Sequence, residues 1–174
     1  MLLTRHPAPA LDLPLVGGGR FTLGAEAPAA FTILVFYRGK HCPICKGYLA
    51  SVQAALDEAE AMGCRIVVAS MDTAERAEAS VAEWEIGRLS VGYGMDEATA
   101  RAWGLYLSSA RPGTQEPAVF SEPGLAVIDP AGTVYFAQMQ SAPFTRPPIA
   151  DLLKGLRFVL ANDYPARGDL TQAA

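Results

Sequence analysis

Cysteine and histidine are scarce in this chain, with three of the first and two of the second in 174 residues. So few sulfurs do not make a disulfide framework of the kind that staples small secreted domains. A structural zinc site needs about four ligands. There is no second C-x-x-C, Cys64 stands alone, and His6 and His41 have no ligand-like spacing. No apolar run approaches the roughly 18 residues of a spanning helix. The opening Met-Leu-Leu-Thr-Arg-His-Pro lacks the charged-then-apolar order of a signal peptide, so a cytoplasmic location is expected. Basic excess is missing too: the net charge is −4, which gives no encouragement to nucleic acid or to a membrane surface as partner. Internal repeats, a glycine-rich phosphate loop and catalytic-triad spacing are all absent, and Asp and Glu fall mostly where helix faces and caps are expected.

One local absence is more pointed. From Ala27 to Gln53 the chain has no Asp or Glu, although it is acidic overall. That window holds Arg38, Lys40, His41 and Lys46, and in their midst Cys42-Pro43-Ile44-Cys45. The apolar, β-branched-rich run Phe31–Tyr37 before it reads as a buried strand, and a helical pattern follows from Pro43. A C-x-x-C between a strand and a helix is the pattern of a thioredoxin-like redox site. Proline is favoured at the first helical position, which makes Cys42 the N-cap and Cys45 the third residue of the first turn. Free N–H groups and the helix dipole there favour thiolate over thiol at Cys42. Two cysteines three apart on one helix face lie roughly 5–6 Å apart at Cα, the span of a disulfide. The surrounding cations are expected to lower a thiol pKa; the plain alternative is a solvated basic turn.

The rest of the chain fits one domain, residues 1–174, long enough to bury a substantial core. Residues 7–24 alternate around Gly17–Gly19 and read as a small hairpin. From Pro43 to Met62, Cys45, Leu49, Val52, Leu56 and Ala59 form one apolar helical stripe ended by Gly63, so Cys45 is expected to be less exposed than Cys42. Cys64–Ser70 is a second apolar strand, giving a right-handed βαβ unit with Cys64 in a packing role. Asp72 and Glu75 signal the start of a helix that runs toward Trp84 and ends by Gly87. Ser90–Met95 is a short connecting or strand segment. Asp96-Glu97 opens a brief helix stopped by Gly104. Residues 105–122 show no periodicity and read as a long functional or mobile loop. Gly124–Ile128 and Thr133–Met139 form a hairpin, and Pro147–Leu160 is a closing amphipathic helix.

Strand, C-x-x-C helix, strand, helix, strand hairpin and final helix follow the order of the thioredoxin fold with insertions, an α/β fold with a central mixed sheet flanked by helices, here with an N-terminal hairpin extension. Phe36-Tyr37-Arg38-Gly39-Lys40-His41-Cys42-Pro43-Ile44-Cys45 resembles the motif of peroxiredoxin-like proteins of the AhpC/TSA family. Leu11-Asp-Leu13, Asp96 with Ala102-Trp103-Gly104, and Gly124–Gly132 are similar to other landmarks of that family, so the resemblance covers about residues 7–160. The family's P-x-x-x-T/S-x-x-C frame falls on Arg38, Cys42 and Cys45, of which only the cysteine is kept. Its peroxide-site arginine would fall at Pro123. Pro123 instead suits the cis-proline that faces the cysteine pair in thioredoxins, preceded here by Glu122. The buried acid that thioredoxins place six residues before the first cysteine is replaced by Phe36.

Together these features imply a thiol–disulfide oxidoreductase in which Cys42 attacks and Cys45 resolves, with Arg38, Lys40 and His41 activating the thiol and Glu122 and Pro123 binding substrate. The resemblance also implies the alternative of an antioxidant thiol peroxidase, with Cys45 attacking a hydroperoxide and Cys42 resolving. A binding or scaffold protein with a vestigial pair is the third reading. No cofactor is called for; the partners expected are a disulfide or hydroperoxide substrate and a reducing thiol donor. Oligomeric state stays open.

Overall fold

The computed structural model describes residues 2–26 and 28–170. The chain opens with β1 (Asp12–Pro14) and β2 (Arg20–Thr22), paired antiparallel. Their turn holds Gly17, Gly18 and Gly19 at φ 87°, 106° and 79°, a run of left-handed backbone that only glycine adopts cheaply. The unit that carries the cysteine pair follows as β3 (Thr32–Phe36), α1 (Pro43–Ala54), α2 (Leu56–Ala61) and β4 (Arg65–Ala69). One continuous helix was expected here, but the helix breaks at Ala55, and Gly63 closes it at φ 75°.

Next come α3 (Ala74–Trp84), β5 (Ser90–Gly92) and α4 (Glu97–Ala102). Thr73, not Asp72, caps α3, accepting from the Arg76 N–H at 3.4 Å. Asp72 has turned back to accept from the Lys40 N–H at 2.7 Å and from Arg76 Nε at 2.8 Å. Residues 105–122, read as a loop without order, contain a hairpin of β6 (Leu107–Ser109) and β7 (Val119–Ser121). Three-residue strands are too short for periodicity to reveal. The chain ends with β8 (Gly124–Ile128), β9 (Val134–Met139) and α5 (Ile149–Asn162).

The five central strands lie in the order β5-β4-β3-β8-β9, with β3, β4 and β5 parallel and β8 and β9 antiparallel to their neighbours. Every residue of β3 is buried because both faces of the sheet are covered. Ile33 and Val35 pack with Leu49 and Val52 of α1 and Leu153 and Leu156 of α5. Leu34 and Phe36 face Phe21, Met95 and Trp103 on the other side. Burying each such side chain contributes roughly 1.5–3 kcal/mol, which fixes β3 at the centre. The chain leaves the end of β3 through residues 37–41 and enters α1 at the cysteines, so the rigid core sets where the pair sits.

Candidate active site

Cys42 is the N-cap of α1 with extended backbone (φ −105°, ψ 103°), and Pro43 stands at the first helical position, as the sequence implies. The Cys45 backbone N–H donates to Cys42 Sγ at 3.4 Å. Both cysteines are free thiols and both are buried, Cys42 at 1% exposure and Cys45 at 0%. The expected contrast between an open Cys42 and a covered Cys45 is therefore absent; side chains from elsewhere in the fold roof the pair. Cys64 is also buried but packs among core side chains, and burial pushes its thiol up.

The loop that leads into the pair is held from below. Gly39 has φ 125°, and a Cβ there would meet the Asp72 carboxylate at 2.7 Å, so glycine is required on both counts. Asp72 then takes the Lys40 N–H, tying the loop to the start of α3.

The expected activating cations are placed less favourably than their sequence positions imply. Lys40 Nζ pairs with Glu83 at 2.7 Å, so its charge is answered away from the sulfurs. Burial, followed by the nearby Arg38 charge, lowers the His41 pKa and favours its neutral form; its ring meets the Phe120 ring edge-on at 4.7 Å. Arg38, 12% exposed, pairs with Glu122 at 3.1 Å and Glu116 at 3.5 Å and lies over the Phe120 ring. Its hydrogen bond is a small contributor to lowering the Cys42 thiol. Glu116 is in turn held by Arg111 at 3.0 Å, which keeps its carboxyl at about 2. The β6–β7 hairpin, read from sequence as a long functional or mobile loop, and the residue after it thus bring Glu116, Phe120 and Glu122 against the residues before the pair.

Glu122 is buried, accepting from Ser108 Oγ at 2.8 Å. Pro123 departs from expectation: the described residues contain no cis peptide bond, so Glu122–Pro123 is trans. Ladder pairing explains this, since β8 starts at Gly124 opposite Phe36 and the Pro123 carbonyl accepts from the Gln140 N–H at 3.0 Å. Pro123 lines a small cavity with Tyr48, Arg146 and Pro147 rather than offering a thioredoxin-type cis edge.

The cation that does reach sulfur is one the sequence did not announce. Arg146, in the link between β9 and α5, directs Nη2 to Cys45 Sγ at 3.1 Å and to Cys42 Sγ at 3.9 Å. Tyr48, one helical turn beyond Cys45, supports it: its ring lies 5.5 Å under the guanidinium, and its hydroxyl donates to the Pro147 carbonyl at 2.9 Å. Burial pushes the Tyr48 phenol up to about 12, so it stays a neutral donor. No local pattern singles out Arg146, which lies 101 residues from Cys45.

The pair divides its protons unequally. Hydrogen bonding from Cys45 lowers the Cys42 thiol well below the usual range against the cost of burial, with Arg146 and Arg38 adding to the effect. Burial, then the hydrogen bond to Cys42, raises the Cys45 thiol. Arg146 lies nearer Cys45, but Cys42 also accepts the Cys45 backbone N–H at 3.4 Å, so the lowering falls on Cys42. Eight buried side-chain polar atoms among the described residues make no well-formed hydrogen bond, and they belong to Tyr37, Arg38, His41, Ser121, Glu122 and Arg146; two of them, Arg38 Nε and Glu122 Oε2, answer each other as an ion pair at 3.1 Å. Such groups are costly to bury, and their concentration around one cysteine pair marks a site rather than a packing region.

The model of the AhpC/TSA family matches residues 4–137. Comparison with curated proteins gives no match. Among solved structures, peroxidoxin BcpB from Mycobacterium tuberculosis aligns with TM-score 0.73 and 18% identity, over 91% of this chain and 99% of that one. Reduced Prx3 of Vibrio vulnificus, in complex with hydrogen peroxide, aligns with TM-score 0.74 and 18% identity, over 90% and 99%. A protein described as a thiol:disulfide interchange protein DsbE, from Chlorobium tepidum, aligns with TM-score 0.68 and 18% identity, over 91% and 98%. At these identities the structures speak for a shared fold, which is the thioredoxin-like α/β fold of the peroxiredoxins.

Proposed function

Because this chain belongs to the AhpC/TSA family, we propose that it is a thiol–disulfide oxidoreductase that cycles through a Cys42–Cys45 disulfide. The observation that carries the reading is the geometry of the pair: Cys42 caps the N-terminus of α1 and accepts the Cys45 backbone N–H at 3.4 Å, with the Arg146 guanidinium beside both sulfurs. Cys42 thiolate attacks one sulfur of a substrate disulfide; that S–S bond breaks, and one substrate thiolate leaves. The mixed disulfide has no charge on Cys42, so the repulsion that helped hold Cys45 protonated is gone, and the Arg146 guanidinium, 3.1 Å from Cys45 Sγ in the reduced protein, favours its thiolate. Cys45 then gives its proton to the departing thiolate and attacks Cys42 Sγ, releasing the second substrate thiol. One guanidinium thus serves both steps, and a reducing thiol donor restores the pair.

A second reading has its own support. Cys45 occupies the attacking position of the family frame, and Arg146 reaches it with Nε and Nη1 lacking hydrogen-bond partners among the described residues. Cys45 would attack a hydroperoxide O–O bond to give sulfenic acid and an alcohol or water, and Cys42 would condense with it to the disulfide, releasing water.

Single-cysteine variants separate the two. Disulfide exchange predicts that Cys45→Ser accumulates mixed disulfides with thiol partners and that Cys42→Ser is inert. Peroxide turnover that survives loss of Cys42 but not of Cys45, with Cys42→Ser gaining one oxygen by mass, would overturn the first reading in favour of the second.

A further inference from the structure

Away from the cysteines, β9, α5 and the chain after α5 frame a groove of about 360 Å³. Its floor is shaped by a bulge in β9. Phe136 stands opposite Val127 and Val134 opposite Ile128, so Tyr135 is an extra residue. Successive strand residues ordinarily face opposite ways, but across this bulge Tyr135 and Phe136 both turn to the α5 side of the sheet. On the helix side stands Gly155, in the interior of α5, where glycine weakens a helix. Its backbone is helical and a Cβ there would meet nothing within 4 Å, so neither conformation nor packing calls for glycine; it keeps the wall of the groove low. The third wall is the tail. Tyr135 Oη donates to the Tyr164 carbonyl at 2.7 Å, and Thr4 Oγ1 donates to the Arg167 carbonyl at 2.7 Å, which fixes the tail at two points. The Tyr164 ring lies 5.9 Å from that of Phe158, and these two large aromatics are 42% and 57% exposed. Exposed aromatics grouped around a groove of this size and apolar character are the mark of a small-molecule site.

Charge selects the class of ligand. Two ionic side chains line the groove, Asp151 and Arg167. Asp151 lies in the first turn of α5, where the helix N-terminus answers its charge. Arg167 pairs with no carboxylate among the described residues: Asp169 is taken by Arg5 at 2.7 Å, and Arg167 Nη1 donates to the Tyr164 hydroxyl at 3.4 Å. The charge left unanswered at the rim is positive. We propose that this groove binds a small apolar carboxylate, with its hydrocarbon part on Tyr135, Phe136 and Leu152 beside Gly155 and its carboxylate on Arg167. Neither cysteine sulfur is hydrogen-bonded to a residue of the groove, so the site stands apart from the redox pair.

Octanoate, octanol and octylamine, which share one chain and differ in head group, are titrated into the full-length protein by calorimetry at neutral pH. Octanoate should saturate one site and bind about ten-fold more tightly than the other two. Arg167→Gln, a change at an exposed position, should bring octanoate down to the affinity of octanol and leave octanol unchanged. Gly155→Leu should abolish binding of all three, with the thermal midpoint unchanged or raised because glycine is removed from a helix. Should Gly155→Leu not fold, the head-group series and Arg167→Gln decide the matter alone. Absence of saturable octanoate binding, equal affinity for the three head groups, or octanoate binding that survives either variant unchanged would overturn the proposal. Sedimentation provides a further check: a dimer that Gly155→Leu splits would make a second copy of the chain the occupant and overturn it as well.

Discussion

Two segments bring arginine to the cysteine pair, and they do so in opposite ways. Residues 38–41 run directly into Cys42 and carry Arg38, Lys40 and His41, yet little of their charge reaches sulfur. Arg38 answers Glu122 and Glu116, Lys40 answers Glu83, and His41 is favoured neutral by burial. Residues 140–148 are remote in sequence, carry one cation, and set it 3.1 Å from Cys45 Sγ. Adjacency along the chain fixes where a backbone goes, but a side chain reaching several ångströms from it pairs with whatever the fold presents. Here Glu116 and Glu122, on either side of β7, present carboxylates to the near arginine, and the link after β9 sets the far one against sulfur and the Tyr48 ring. Arg38 is thus chiefly a structural cation and Arg146 an electrostatic one.

The largest effect that tests this division is on stability. Arg38→Met leaves Glu122 buried without its partner and should cost about 3–5 kcal/mol in urea unfolding, while the alkylation rate of Cys42 changes by less than about three-fold. The reverse pattern, a stable variant with a slow thiol, would break the comparison.

Arg146→Met should act on the thiol instead, raising the midpoint of the Cys42 alkylation rate against pH by about one unit or more, or 1.36 kcal/mol per unit. It has a counterpart in stability. The lowered Cys42 thiol leaves the reduced native protein with fewer bound protons than the unfolded chain below about pH 8.5. Its contribution is therefore present above that value and is lost as pH falls through the lowered one. The raised Cys45 thiol has the opposite sign, so its contribution is present below about 8.5 and is lost above. Reduced protein should gain stability from this pair as pH rises toward about 8.5, whereas oxidised protein should not, and Arg146→Met should flatten the rise. An unchanged profile in the variant would remove Arg146 from the thiol's environment.

The smallest effect belongs to Lys46, which is exposed one residue beyond Cys45. Lys46→Gln should leave the alkylation rate within about two-fold and stability within about 0.5 kcal/mol. A larger change would restore weight to the charge cluster as read from sequence.

Much of the scaffold is legible before any coordinates. The apolar run at Phe31–Tyr37, proline after the first cysteine and the apolar stripe from Cys45 to Ala59 place the pair on a helix N-terminus beside a buried strand, since each is a local pattern with a local physical cause. The hairpin at Gly17–Gly19 and the final strand pair are legible for the same reason. What stays hidden depends on non-local contact. Asp72 gives up its cap position because the Lys40 N–H is close in space. Residues 105–122 become a hairpin by pairing across their own span, without a periodic signal. Pro123 stays trans because the strand pairing around it accommodates that geometry.

The sequence alone therefore determines that two cysteines share one helical turn at the end of a buried strand, because strand burial, capping and helical spacing act over a few residues. Only the tertiary structure decides which cation they meet and that both are covered, because a guanidinium from residue 146 and its support from Tyr48 come together only when β9 and α5 have packed on the same sheet as α1.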